Sequence, residues 1–168
     1  MWTARRILKE LADTDLRRKV LTAFWKHADA QAKALANAHI SKAMHFRDET
    51  IRKMPAEKKA DLLASRIGAP DFDQFLEIGL MQYHTNGKGE MLGAFLDKWD
   101  IPHVDGSIEV DEYRTPTIDQ VREAAQQLQQ KFPLQEIRLY LASAGLLMGE
   151  EWAAATWPVV DELTQPAS

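Results

Sequence analysis

The chain has 168 residues, 45% of them hydrophobic and 14 aromatic, which suffices for one domain with a real core and is too apolar for wholesale disorder. Its net charge of −4 is laid out unevenly: residues 1–60 carry 14 Lys+Arg against 7 Asp+Glu, a formal +7, and residues 61–168 carry 7 against 18, a formal −11. There is no cysteine, which excludes disulfides, thiolate catalysis and thiolate metal sites, and no apolar run reaches the roughly 18–20 residues that cross a bilayer.

The opening Met1-Trp2-Thr3-Ala4-Arg5-Arg6 lacks the apolar stretch of a secretory signal, and Glu10, Asp13 and Asp15 argue against a transit peptide. A soluble, cytoplasmic protein with no membrane partner is expected. Thr3 to about Ala12 reads as a first helix with Ile7, Leu8 and Leu11 on one face. Asp13 or Asp15 caps the next, in which Leu16, Val20, Ala23, Phe24, Ala30, Ala34 and Ala38 recur at helical spacing. With no Gly or Pro in residues 2–54, this second helix is expected to run to His39 or beyond. Pro55 opens a helix over 56–67, and Gly68-Ala69-Pro70 makes a corner. Asp71 then caps a helix carrying Phe72, Phe75, Leu76, Leu80 and Tyr83, which ends at Asn86-Gly87, a pair tolerant of positive φ.

Residues 89–99 form another helix, with Met91, Leu92, Phe95, Leu96 and Trp99 as its apolar set. Ile101 to Val110 breaks the helical pattern. Its central Asp105-Gly106 suits a two-residue type I′ turn that pairs Val104 with Ser107 and His103 with Ile108. Thr117 caps a helix over 118–131, Pro133 breaks it, and a helix over 134–148 shows Leu134, Ile137, Tyr140, Leu141, Ala144 and Leu147 as a buried stripe. Gly149 closes that helix, and Trp152 begins a final short one that Pro158 kinks or restarts. The expected fold is all-α: a single irregular bundle of six to eight helices with a short β-hairpin or extended loop near 101–110. Residues 1–163 then form one domain, a basic third over 1–60 and an acidic remainder over 61–163, with 164–168 as a flexible tail.

The basic third supplies the first functional candidates. Arg5, Arg6, Lys9, Arg17, Arg18, Lys19, Lys26 and Lys33 lie on two helices, with Lys58 and Lys59 farther on. Trp2, Phe24 and Trp25 could stack on bases, which makes nucleic-acid binding an alternative. However, Phe24 lies on the apolar stripe and the pI is about 5.7. A helix-turn-helix over 57–84 would carry Asp71, Asp73 and Glu77 on its second helix, which phosphates would repel; a helical hairpin explains the same residues. Asp105 and Gly106 match two positions of a calcium loop, but Ile101 and His103 stand where its leading oxygen ligands belong.

No histidine pair has His-x-x-x-His spacing. His45 with Glu49, one helical turn apart, is the most metal-like local group, and His84 and His103 complete the ligand or metal candidates of a small-ligand or enzymatic alternative. No Gly-x-Ser-x-Gly, phosphate loop or dinucleotide fingerprint occurs, so no cofactor is expected. Trp152 and Trp157 sit in an apolar C-terminal stretch that could anchor an interface. The expectation that weighs most is a non-enzymatic helical interaction module, with Arg17, Arg18, Lys26, Trp152 and Trp157 meeting a protein partner or a second copy in a homodimer.

Overall fold

A computed structural model of the chain describes residues 1–165. Among these, the elements run α1 (Ala4–Glu10), α2 (Thr14–His27), α3 (Ala30–Met44), α4 (Asp48–Arg52), α5 (Ala56–Ala64), a 3₁₀ turn (Pro70–Phe72), α6 (Asp73–Gly87), α7 (Gly89–Lys98), β1 (His103–Val104), β2 (Ser107–Ile108), α8 (Ile118–Leu128), α9 (Leu134–Leu147) and α10 (Glu150–Thr164). The fold is all-α with one short hairpin. None of the helices is long and apolar enough to cross a membrane.

One of the two helices beyond the expected eight comes from a break in the second. Asp29 turns its carboxylate to accept the Ala32 amide at 2.7 Å and starts α3 afresh, so the expected long second helix is two helices. The break resets the helical phase. Ala36, Asn37 and Ile40 are buried, while Ala30, Ala34 and Ala38, expected on the apolar stripe, are exposed. The short α4 is the other addition. Asn86-Gly87 does not take positive φ; Gly87 is the last residue of α6, and Lys88 at φ −126° interrupts the helical run. The last helix is longer than expected. It begins at Glu150, continues through Pro158 and includes Thr164, so the flexible tail expected at 164–168 is helical at its first residue; residues 166–168 lie outside those described.

The chain divides into two compact units. The N-terminal unit is Ala4–Asn86. Its α2 packs on α5, in place of the hairpin expected between the helices flanking residues 68–70. Phe24 lies edge-on to Trp25 and Phe75, with centroids 4.9 and 5.8 Å apart. Gly79 of α6 lets the chain approach the Val20 carbonyl, to which a Cβ would stand at 3.4 Å.

The C-terminal unit joins Met1–Thr3 to the chain from Gly87 onward. Trp2 is buried and donates its indole N–H to Asp161 of α10 at 3.2 Å. Thr117 and Gln120 form a reciprocal capping box at the start of α8. The hairpin has the expected register, His103 opposite Ile108 and Val104 opposite Ser107, with Asp105 and Gly106 at φ 48° and 84°. It lies against α7, where a Cβ on Gly89 would meet the Asp105 carbonyl at 2.8 Å. Helices α9 and α10 make the closest pair, because Gly145 leaves room for Trp157 and Thr156.

Two glycine substitutions separate packing from propensity. In Gly145→Ala the new Cβ overlaps the Trp157 indole and comes 2.7 Å from Thr156 Oγ1, so urea unfolding should show a loss of about 2–3 kcal/mol. Gly87→Ala meets nothing within 4 Å at a helical position. It should be neutral or stabilising by at most about 1 kcal/mol in the same assay.

Candidate functional site

In the N-terminal unit the basic helices close on themselves. Arg5 donates to both Asp73 oxygens at 3.2 and 2.7 Å, and to the Gly68 carbonyl at 3.2 Å. Arg17 is half-buried and donates to the Leu8 and Ala12 carbonyls at 3.0 and 3.1 Å, which satisfies the end of α1. Arg18 grips Asp61 with both arms of its fork, at 2.8 and 2.7 Å. These hydrogen bonds hold the Asp61 carboxyl below the usual carboxylate range. Lys26 stands 3.8 Å from Glu57. Two of these acids, Asp61 and Asp73, belong to the stretch that reads as acidic in sequence. With Asp71, Glu77 and Arg66 of the same stretch, they bring the unit's balance to 15 Lys+Arg against 11 Asp+Glu. The C-terminal unit keeps 6 against 14.

His45 does not share a helix with Glu49. It ends α3 in the left-handed region at φ 56°, and Glu49 lies on α4, paired with Lys53 at 2.8 Å. The spacing of four is therefore not a turn of helix. His84 is buried in α6, edge-on to Tyr83 at 5.4 Å. Among the described residues no three His, Asp or Glu side chains are grouped to hold a metal.

His103 is the most constrained histidine. Gly106 donates its amide to Nδ1 at 3.1 Å, so Nδ1 is an acceptor. Nε2 carries the proton and donates to Asp97 at 2.8 Å. The ring lies on Gly93, where a Cβ would stand 3.0 Å from Cε1. With both nitrogens engaged, His103 stitches the hairpin to α7.

The C-terminal tryptophans also face inward. Trp152 is 2% exposed, donates to the Tyr113 hydroxyl at 3.1 Å and lies 5.6 Å from the Trp99 ring. Trp157 is half-buried and donates to the Ala142 carbonyl at 3.2 Å. Above this aromatic floor the segment after β2 faces the start of α10 across a cleft of about 440 Å³. Asp111, Glu112 and Tyr113 line one side, and Met148, Glu150 and Glu151 the other. Thr115 donates to Glu151 at 3.0 Å. Past that bridge lies a second depression, formed by Pro116, Ile118, Ala154 and Ala155. Among the described residues Asp111, Glu112 and Glu150 form no ion pair. Glu150 and Glu151 occupy the first turn of α10, where the helix dipole favours negative charge.

Neither the cleft nor its residues followed from sequence spacing, because its two sides are more than thirty residues apart. The available signal was a run of charge with no helical period, Glu109 to Tyr113, and an acidic pair directly after Gly149.

Removing the His103 ring frees the Gly106 amide. In His103→Ala, hydrogen exchange at Gly106 and Ser107 should quicken by about tenfold or more, while global stability falls by about 1 kcal/mol; unchanged exchange would contradict the stitching role. No family model, curated protein or solved structure matches this chain.

Proposed function

We propose that the protein is a non-enzymatic interaction module whose recognition face is the acidic cleft of the C-terminal unit, and that its partner is a basic segment of another protein. One observation carries the reading: ion pairs and hydrogen bonds within the N-terminal unit take up every arginine of α1 and α2 together with Lys19 and Lys26, whereas acids without an ion pair among the described residues line a cleft of the C-terminal unit. Arg17, Arg18 and Lys26 each hold another part of their own unit, which moves the proposed face away from them. Trp152 supports the cleft from beneath rather than reaching out of it.

The cleft suits a basic chain in two ways. Asp111, Glu112, Glu150 and Glu151 provide exposed negative charge for cationic side chains, which steers encounter and fixes orientation. The neighbouring depression offers Ile118, Ala154 and Ala155 to an apolar side chain, which supplies the area-dependent part of the affinity. Ile118 in that depression and Met148 in the cleft stand at 38% and 36% exposure.

A labelled synthetic peptide of Lys, Arg and Leu tests this by fluorescence polarisation at low and physiological salt. The wild type should bind it, with affinity falling as salt rises. Glu112→Lys/Glu150→Lys should weaken binding about tenfold. Glu109→Lys/Glu123→Lys, an equal change of net charge outside the cleft, should weaken it far less. Equal losses from the two double variants would mean that only the overall field is felt, and the cleft would fall as the recognition face.

A further inference from the structure

The hairpin is held to α7 through an amide that its own strands leave over. Gly106 stands in the turn between the paired residues Val104 and Ser107, and its N–H donates to the His103 Nδ1 at 3.1 Å. Both partners of this bond are pinned on the same helix. A Cβ on Gly106 would stand 2.6 Å from the Leu92 Cβ, 3.0 Å from the Gly89 carbonyl oxygen and 3.2 Å from the Gly93 nitrogen. The half-buried ring lies on Gly93 and donates its Nε2–H to Asp97 at 2.8 Å. Neither side has room to sink deeper into α7.

We infer that His103 is a proton-operated latch: a second proton, taken up on Nδ1, releases the hairpin tip Asp105-Gly106 from α7. An imidazolium donates from both nitrogens and accepts at neither. Its new N–H would face the Gly106 N–H across the distance that now separates donor from acceptor. Its other N–H keeps Asp97 and gains charge assistance there. The ring is thus held more firmly on α7 while its contact with the tip turns repulsive, and the tip is the part that gives way. The latch is closed when the ring is neutral and opens as pH falls through the range, near 6 to 7, where histidines ordinarily gain a proton.

The charged surroundings leave that sense intact. From α7 the group facing the ring is Asp97, and among the described residues His103 forms no other ion pair. Elsewhere on α7, Glu90 pairs with Lys131 at 2.5 Å, and Lys98 is exposed. On the segment of His103 itself, Asp100, Asp105 and Glu109 are exposed. Carboxylates ordinarily titrate near 4 and lysines near 10, so between pH about 5 and 8 the imidazole is the group here whose charge changes. The latch is read at the turn and stands whether or not the cleft takes a basic chain.

The test is hydrogen exchange of the Gly106 amide in the whole chain between pH about 8 and about 5, corrected for the intrinsic rate at each pH, alongside the NMR titration of the His103 Cε1–H. Protection at Gly106 should fall by about tenfold or more, with the same midpoint as the ring. His103→Asn keeps an acceptor oxygen close to the place of Nδ1 but takes up no proton, so there the pH dependence should vanish. Constant protection while the ring titrates would overturn the latch, as would a ring that does not titrate in this window. A loss that persists in His103→Asn would assign the effect to another group and overturn it equally. Amides of the buried α9, such as Leu141, should stay protected throughout; their loss together with Gly106 would mean acid unfolding of the whole unit and no latch.

Discussion

A half-buried guanidinium must find acceptors within its own fold, and that requirement organises the N-terminal unit. Arg17 loses part of its water against α1, and recovers hydrogen bonds from the Leu8 and Ala12 carbonyls, which the helix end itself leaves unpaired. Arg5 does the same through Asp73 and Gly68. These contacts tie the short α1 to α2 and α6, and a seven-residue helix would be marginal without them. Arg5 and Arg17, which look in sequence like part of a polyanion-binding stripe, are thereby committed to internal work.

The sequence announces elements whose cause is local and hides those whose cause is not. Asp105-Gly106 demands a primed turn, and the register of the hairpin follows from it without tertiary information. Thr117 and Gln120 form a capping box visible at a spacing of three. The break at Ala28-Asp29 is different. No glycine or proline marks it, and a run of alanines satisfies almost any helical phase, so the true face of Ala36, Asn37 and Ile40 could not be chosen from Ala30, Ala34 and Ala38. Carbonyl acceptors such as Leu8 and Ala12 carry no sequence signal at all.

The candidate sites follow the same division. His45 and Glu49 stand at helical spacing, but the left-handed conformation of His45 destroys the geometry that the spacing implies. His103 stands in a turn that sequence identifies, and the same turn consumes its Nδ1. An acid–base role needs a nitrogen free to exchange its proton with a substrate. The His103 ring instead spends one nitrogen on Gly106 and the other on Asp97.

Exposed and half-buried charge obey different physics. The carboxylates of the cleft are exposed, so salt screens them over about 8 Å, and on the proposed recognition face their attraction would discriminate weakly among basic chains. Selectivity on that face would have to come from the apolar depression beside them, lined by Ile118, Ala154 and Ala155. Lys59 is partly withdrawn from water, with its amine over the ring of the buried Trp25, and salt screens such a charge far less. Exposure, more than sign, therefore decides how strongly each charge of this surface is felt.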